Sequence, residues 1–307
     1  MEIAKTSFLT TEPARKQSLE KRLGLEHSLF WSTAFRTLRA QGGLVGLIIV
    51  GGMLLLALLA PLITPYDPLE IHKGEQFIAP GAQYYFGTDE FGRDLFSRTI
   101  YGSRISLLAG AAAVLGAVLI GVPLGLTAGY LGGRTDIILM RAMDTLLAFP
   151  ALLLAMGIVS ILGPNAFNAM IAVAIVSIPV FARVARASML SQKAMDYVLA
   201  ARASGATNVR IIFGSILPNA LPVIIVQVAV SVAFAILVEA SLSFLGLGTQ
   251  PPNPSWGSML LTSRRFLRDA WWYGFFPGLF LTVLILGLNF FSEALRDALD
   301  PGRRHLL

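Results

Sequence analysis

The chain has 307 residues, of which 55% are hydrophobic and only 14% are charged, against about 25% charged residues in soluble domains. Together with a mean hydropathy of +0.69, this excludes an ordinary soluble protein and indicates an integral membrane protein. The formal net charge is +6, and the basic residues lie mainly in loops beside apolar segments. Such a distribution is explained better by membrane topology than by nucleic-acid binding. The chain has no cysteine, so disulfide and thiolate chemistry are excluded, and its three histidines lack the spacing of metal ligands.

Residues 1–41 form a polar segment with seven basic and four acidic residues. This is too long and too charged for the start of a signal peptide, so we expect it to be retained as a cytoplasmic tail. Phe30, Trp31, Phe35 and Leu38 fall on one side of a short amphipathic helix, which predicts a helix lying in the membrane interface. A partly disordered tail is the alternative.

Six apolar runs follow, each near the roughly 20 residues that a bilayer core demands. They cover residues 43–64, 105–130, 137–162, 166–184, 219–246 and 274–296. Pro123 predicts a kink in the second run, and we expect Pro179 to break the fourth, which is the shortest. The sequence thus predicts an all-α membrane domain over residues 42–300 with six transmembrane helices, followed by a short tail at 301–307.

The distribution of Lys and Arg predicts the orientation of this domain. Six spans place both termini on one side, and with the termini inside, seventeen of the basic residues are cytoplasmic and seven are outside. An excess of Lys and Arg marks the cytoplasmic side. We therefore expect cytoplasmic N and C termini and a cytoplasmic location for the polar stretch at 185–218, which we call the elbow.

A stripe of small residues runs through the second span. Its members recur at every fourth position and are Ala109, Ala113, Ala117, Gly121, Gly125 and Gly129. Such a stripe lets a neighbouring helix approach backbone to backbone, so we predict that this span is buried in the bundle.

The elbow has the pattern of two short helices. Asp196 is placed to cap a helix through Tyr197 and Arg202, and Gly205 is placed to end it in a left-handed turn. Thr207 or Asn208 would cap a second helix. Pro218 would either end this helix or mark the entry into the next span. Its apolar side would consist of Val209, Ile211, Ile212 and Ile216. Between the two helices, the small residues 200–205 predict a bare surface to which another protein can dock.

This elbow resembles a known motif. The run AARASGA at 200–206, with Ile216-Leu217-Pro218 further on, is similar to the cytoplasmic "EAA" loop of ABC importer permeases, which docks into a groove of the ATPase subunit. The leading Glu of the motif is replaced by Leu199, and Ser215 stands where Ile is usual. The resemblance implies an ATPase-coupling role for Asp196, Ala200, Ala201, Arg202, Ser204, Gly205, Ile216, Leu217 and Pro218.

The outer segment 65–104, which we call the cap, is long for a loop. In its core, FGTDEFGRDLFSR at 86–98, the spacing of the charged residues allows ion pairs that in an exposed loop stabilise by only ~0–1 kcal/mol each. A self-folded cover over a pore mouth is one interpretation, and a docking surface or a substrate chute is the other. The candidate residues for the cap and its docking surface are Gly87, Thr88, Asp89, Gly92, Arg93, Asp94 and Arg98.

The cap core also resembles a family-typical stretch, GTDxxGRDxxSR, of C-type permease subunits in dipeptide, oligopeptide and nickel importers, as does SFLGLGTQPPNPSWGSML at 243–260. These resemblances imply a permease with the type I ABC importer fold in a bacterial or archaeal inner membrane. They also imply a B-type permease partner, two ATPase subunits that bind ATP and Mg, and an extracytoplasmic binding protein that docks on the cap. Peptide is the first substrate implied; nickel, glutathione or another small solute are alternatives.

Ionisable residues inside spans are costly and carry a functional hypothesis by default. Glu239, near the outer end of the fifth run, is a candidate gate or pore residue. Its structural alternative is an ion pair with Arg104 or Arg264. Near the start of the third run, Arg141 and Asp144 are three positions apart and are expected to pair on one helix face.

Catalytic motifs are absent from the sequence. No lysine directly follows a glycine, so there is no phosphate-binding P-loop, and we expect this chain to be no enzyme and to bind no cofactor or metal itself. Two functions from other classes remain open. One is a secondary transporter driven by an ion gradient, which usually shows inverted repeats and carboxylates at the midplane. The other is a membrane scaffold that transports nothing.

Overall fold

The computed structural model describes Thr37 and residues 42–299. Within that part of the chain the regular elements are helical, and the single β-like contact is an isolated bridge between Thr88 and Asp94. The predicted all-α fold is therefore confirmed. The expected interfacial helix and both tails lie outside the described residues, apart from Thr37.

The described part of the chain forms a series of helices. They are α1 (Gly43–Leu58), α2 (Ala60–Ile63), α3 (Leu95–Leu131), α4 (Gly133–Leu147), α5 (Ala151–Leu162), α6 (Ala166–Lys193), α7 (Asp196–Ala203), α8 (Asn208–Arg210), α9 (Leu217–Phe244), α10 (Trp256–Ser263) and α11 (Trp272–Leu299). A π-helical segment, Ile211–Ile216, joins α8 to α9, so residues 208–244 form one uninterrupted helical path.

Four of these helical paths are long and apolar enough to cross a membrane: α3, α6, residues 208–244, and α11. The pair α4 and α5 qualifies as a fifth if it counts as one span, and α1 is apolar but has only 16 residues. The six apolar runs of the sequence therefore correspond to helices, while the number that crosses the bilayer stays a prediction.

Two of the predicted runs differ from the helices that form. The third run is not straight, because α4 and α5 meet at 90° where Pro150 begins α5 as its N-cap. In the fourth run the expected break at Pro179 is wrong, because α6 continues through this residue from Ala166 to Lys193. A proline inside a membrane helix is tolerated when neighbouring helices cover the freed backbone groups, and Pro179 is buried.

The stripe of small residues lies at the contact of α3 with α6, the most extensive helix contact of the described chain. A Cβ atom built on Gly121 would lie 2.6 Å from the carbonyl oxygen of Ile178, and one on Gly125 would lie 2.8 Å from the carbonyl carbon of Ala182. At such separations only glycine fits. The two helices thus pack backbone to backbone and form the centre of the bundle.

The cap folds onto the end of this centre at which α3 begins. Phe86 stacks on Phe276 of α11 with ring centroids 3.8 Å apart, and the indole Nε1 of Trp256 donates to the carbonyl oxygen of Thr99 over 2.9 Å. The hydroxyl of buried Tyr84 donates to the Glu75 carboxylate. These contacts make the cap a folded part of the domain.

The prediction that the charged residues of the cap form weak, exposed ion pairs is wrong. Asp89 is fully buried, and Arg93 and Arg98 are 7% and 4% exposed. The Nε atom of Arg93 lies 2.6 Å from one carboxylate oxygen of Asp89, and the Nε atom of Arg98 lies 3.4 Å from the same oxygen. These charges are thus buried as ion pairs, an arrangement that a hydropathy pattern does not reveal.

The other residues of the cap motif are buried as well. Asp94 caps α3 by accepting from the backbone N of Ser97 over 2.8 Å, and Arg98 donates to the carbonyl oxygen of Pro68 over 2.8 Å. Thr88 is fully buried. Gly87 has φ +76°, and a Cβ there would lie 2.6 Å from Nε1 of Trp272. The motif therefore offers little side-chain surface for docking; that surface would consist of exposed neighbours such as Tyr85 and Phe91.

Candidate functional site

The first helix of the elbow is α7, and its start differs from the prediction. Met195, in extended conformation, is the N-cap residue and makes no side-chain capping bond, while Asp196 lies in the first helical turn. The expectation that Asp196 caps the helix is therefore wrong. A carboxylate in the first turn still stabilises a helix through its macrodipole, and Arg202 in the last turn does the same at the other end.

The end of α7 is a Schellman turn. Gly205 has φ +77°, its backbone N donates to the carbonyl oxygen of Arg202, and the N of Ala206 donates to the carbonyl oxygen of Ala201, over 3.0 and 3.1 Å. This left-handed turn at glycine is what the sequence predicts. No atom lies within 4 Å of a Cβ built on Gly205, so the turn faces open space.

The second elbow helix is not a separate short helix. Thr207 caps it by accepting from the backbone N of Arg210 over 3.4 Å, and it then runs through the π-helical segment into α9. Pro218 lies in the first turn of α9, so it marks an entry into the span and not a stop. The second elbow helix and residues 217–244 therefore belong to one continuous helical path.

The elbow has a buried and an exposed side. Val198, Ile211 and Ile216 are buried and pack into the main hydrophobic core. Val209 was expected on this apolar side, but it is 66% exposed, because α8 turns it away from the core. Leu217 is partly buried against the same core.

The exposed side of the elbow combines small and apolar residues. Small members of the AARASGA run reach the surface, namely Ala200, Ala203, Ser204 and Gly205. Beside them, Leu199, Val209 and Phe213 are 51%, 66% and 50% exposed. The departure from the motif at Leu199 thus places an apolar side chain where a carboxylate is usual. Exposed apolar residues grouped around bare backbone are typical of a surface that another protein covers.

Glu239 lies inside the bundle near the cap and has a partner that differs from the expected one. It is 1% exposed and accepts a hydrogen bond from Ser243 Oγ over 2.8 Å; Ser243 in turn accepts from the backbone N of Thr249 over 3.0 Å. The expected ion pair is wrong, because Arg104 lies over the ring of Tyr101 and Arg264 over that of Phe244. The carboxyl joins α9 to the loop that follows it.

Two ion pairs connect α4 with α6. Arg186 donates from Nε and Nη2 to the two carboxylate oxygens of Asp136 over 2.5 and 2.6 Å, and Arg183 pairs with Asp144 over 2.6 Å. The predicted pair of Arg141 with Asp144 is thus replaced by a longer-range one. With Met140, three of these residues line an open cavity of about 390 Å³, and the pairs hold the bent α4 and α5 segment against the centre of the bundle.

Comparison with known proteins decides the family. Residues 121–305 match the model of the binding-protein-dependent transport system inner membrane component, and residues 29–80 match that of the N-terminal transmembrane domain of oligopeptide transport permease C. The chain belongs to this permease family. The elbow and α9 lie inside the first match, and the start of the cap lies inside the second.

Relatives of this permease match almost end to end. The chain is 47% identical over 272 residues to the dipeptide transport system permease protein DppC of Alkalihalophilus pseudofirmus, covering 88% of this chain and 90% of the relative. It is 43% identical to the di/tripeptide permease DppC of Pseudomonas aeruginosa, with 89% and 91% covered. The glutathione permease GsiD of Pectobacterium atrosepticum is 41% identical, with 89% and 90% covered.

The fold of the permease is that of a type I ABC importer subunit. A chain of the inward-facing MetNI methionine ABC transporter superposes with a TM-score of 0.55 at 16% identity, covering 66% of this permease and 96% of that chain. At this identity the likeness concerns the fold alone. The family is one of inner-membrane components of transport systems, and no group of metal-binding side chains occurs among the described residues.

Sequence reasoning missed Tyr130, the penultimate residue of α3. It is 5% exposed, and its hydroxyl donates to Oδ1 of Asn208 in the elbow over 2.7 Å. The available signal was a tyrosine at the end of an apolar run, separated only by Leu131 from the glycine pair at 132–133. Aromatic residues are common at both ends of membrane helices, so that signal did not point to the elbow.

Proposed function

We propose that this permease is one half of the translocation pathway of an ATP-driven peptide importer. The relatives named for dipeptides or for di- and tripeptides are 43–47% identical over nearly nine tenths of the chain. The glutathione relative, at 41%, is similar by almost as much, and glutathione is itself a small peptide. Peptides of two or three residues are therefore the substrate class best supported.

The proposed complex contains this chain, a related B-type permease, two ATPase subunits and an extracytoplasmic binding protein. ATP and Mg would be bound by the ATPase subunits. The observation that carries the docking role is the exposed side of the elbow, where small residues leave backbone accessible beside Leu199, Val209 and Phe213. Since these residues lie at the end of α3 opposite the cap, one end of the chain can contact an ATPase while the other faces the binding protein.

The proposed mechanism follows from the continuity of the helices. Closure of the ATPase pair on ATP would move the elbow, and the elbow continues without interruption into α9 and, through residues 194–195, into α6. Because α6 and α3 are packed backbone to backbone, the three helices would move as a group. Their movement against the second permease would open the pathway first to one side and then to the other.

Transport is tested with the whole complex in lipid vesicles. We expect accumulation of a labelled dipeptide only when ATP reaches the ATPase subunits and the loaded binding protein faces the cap. Competition by unlabelled tripeptide, glutathione and nickel ions then ranks the substrates. Uptake without ATP would support a secondary transporter, and an assembled complex that hydrolyses ATP but moves none of the four solutes would support a scaffold.

Docking is tested by adding bulk to the bare surface. We expect Ala200→Arg to abolish co-purification of the ATPase subunits, because a long charged side chain would separate the two surfaces. The matched control is Ala79→Arg at an exposed position of the cap, which should leave ATPase binding unchanged. Normal ATPase binding by Ala200→Arg would contradict the docking role.

Orientation is tested by labelling. Because the chain has no cysteine, Ala79→Cys and Ser204→Cys each introduce a single thiol at the cap and the elbow. An impermeant maleimide added to whole cells should label the cap thiol, and the elbow thiol only after the membrane is permeabilised. The reverse pattern would exclude contact between the elbow and a cytoplasmic ATPase.

A further inference from the structure

Three segments of the chain meet at Tyr130. Its hydroxyl donates to Asn208 Oδ1, 2.7 Å away at the start of the second elbow helix. Its backbone carbonyl oxygen accepts from Nζ of Lys193, the last residue of α6, over 2.6 Å. Tyr130 is 5% exposed, and both bonds are partly buried.

Two cations enclose the same side chain. Lys193 Nζ lies 5.5 Å and Arg202 Cζ 5.9 Å from the centre of the Tyr130 ring, within the range of cation–π attraction. Lys193 also approaches the carbonyl end of α3, where a positive charge is favoured by the helix macrodipole. Through Arg202 the contact extends to α7, so both helices of the elbow touch one tyrosine.

The helix that carries Tyr130 has little freedom to move relative to α6. Gly129, the preceding residue, would place a Cβ 2.8 Å from Cβ of Met189, and Gly121 and Gly125 are equally tight against α6. At its other end α3 begins at Leu95, directly after its N-cap Asp94 in the cap, and its 37 residues at 1.5 Å each span about 55 Å. A force applied at Tyr130 therefore acts on a helix that is tightly packed against α6 and reaches the cap.

We propose that Tyr130 is a positioning residue that couples the elbow to α3. Its hydrogen bond to Asn208 transmits movement of the elbow to the helix that ends at the cap, in parallel with the direct path through α9. This role rests on the proposed function of the elbow. It predicts that breaking the bond leaves the ATPase bound and active, but separates ATP hydrolysis from transport.

The test measures the number of ATP molecules hydrolysed per dipeptide imported by the reconstituted complex. We expect Tyr130→Phe and Asn208→Leu each to raise this ratio roughly fivefold, the lower end of coupling between linked sites. The double variant should be no worse than either single one, because both remove the same bond. Asn208→Asp keeps an acceptor oxygen for the tyrosine hydroxyl and should restore a ratio near that of the unaltered complex.

The matched control is Tyr197→Phe. Tyr197 also donates its hydroxyl to an amide oxygen, that of Gln192 over 2.6 Å, but this bond stays within residues 192–197 and does not reach α3. The variant should keep the normal ratio. A normal ratio in Tyr130→Phe would overturn the coupling role, and so would loss of ATPase co-purification, since the tyrosine would then only shape the docking surface. Failure of the unaltered complex to import peptide would instead overturn the proposed function.

Discussion

The cap and the elbow both carry stretches typical of the family, but they use their side chains in opposite ways. In the cap, Asp89, Arg93 and Arg98 are turned inward and form ion pairs in a buried cluster. In the elbow, Ala200 and Gly205 are exposed and surrounded by open space or apolar side chains. The comparison shows that charged residues in a loop next to a membrane can be buried within the fold, while small residues in another loop leave backbone accessible at the surface.

The difference follows from the cost of burying charge. Buried ionised groups are tolerated only when paired and hydrogen-bonded, and Asp89 meets this demand by also accepting from the backbone N of Arg93 and of Phe91, over 2.9 Å each. A surface that must receive another protein gains instead from being free of long side chains, since nothing has to be ordered or desolvated on contact.

The largest expected effect is in the cap. Asp89→Asn removes the negative charge that faces two buried arginines, and breaking such a pair costs about 3–5 kcal/mol. We expect a markedly lower thermal midpoint of unfolding and low yield of the purified permease. The prediction is checked by comparing the melting temperatures of the variant and the unaltered permease in detergent, followed by intrinsic fluorescence.

The control for this prediction is Asp94→Asn in the same cap. Burial raises the pKa of the Asp94 carboxyl, although bonds from Ser97 oppose the shift, so burial already disfavours the charge that this substitution removes. Asparagine is also a good N-cap residue. We expect a loss of less than about 1 kcal/mol, and equal losses at Asp89 and Asp94 would contradict the role given to the charge cluster.

The next effect concerns the helix that joins the two regions. Gly125→Ala forces a methyl group against the backbone of Ala182, and overpacking of this kind costs about 1–3 kcal/mol. Gly157→Ala in α5 is the control, because no atom lies within 4 Å of its Cβ. There the higher helix propensity of alanine should stabilise by up to about 1 kcal/mol. Denaturation in mixed micelles compares the two.

A smaller effect is expected at the turn of the elbow. Gly205→Ala places a Cβ on a residue with φ +77°, which costs about 1–2 kcal/mol for a non-glycine residue. Because the site is open, no clash is added. Gly214→Ala, at a glycine without positive φ and with its nearest neighbour 3.9 Å away, should leave the elbow intact. Protease cleavage within residues 194–207 should rise for the first variant only.

Much of the bundle and of the elbow could be predicted from residue patterns. Hydropathy located the long helices, the four-residue recurrence of Gly121, Gly125 and Gly129 identified the face of α3 that meets α6, and Gly205 marked the left-handed turn. These predictions succeed because each depends on local spacing or on the conformational freedom of one residue.

The predictions that were wrong depend on which distant residues meet. Burial of the cap cluster and the ion pair of Asp144 with Arg183 arise from packing that a single sequence does not specify. The bond from Ser243 to Glu239 is local, four residues apart in α9, and was missed because an ion pair was expected instead. The 90° bend between α4 and α5 did have a signal, since Pro150 interrupts the third run. It was overlooked because the apolar character continues on both sides.

The smallest expected effect is at the exposed ion pair between α4 and α6. Like the cap cluster it consists of charged residues, but like the elbow surface it is exposed to solvent. Arg183 and Asp144 are 53% and 50% exposed, so water and salt screen their attraction, and Asp144→Asn should cost only ~0–1 kcal/mol. Asp136→Asn should cost more, because Asp136 is 18% exposed and receives two bonds from Arg186.

Measuring the unfolding of both variants at low and high salt distinguishes the exposed pair from the less exposed one. At 50 mM salt the Debye length is longer than about 10 Å, and at 500 mM it is shorter, so exposed charges are screened more strongly. The stability difference between Asp144→Asn and the unaltered chain should vanish at high salt, while that of Asp136→Asn should persist. If both stability differences vanish at high salt, the two hydrogen bonds of Asp136 add nothing beyond a screened attraction. Burial alone would then explain why the charges of the cap stabilise the fold and exposed charges do not.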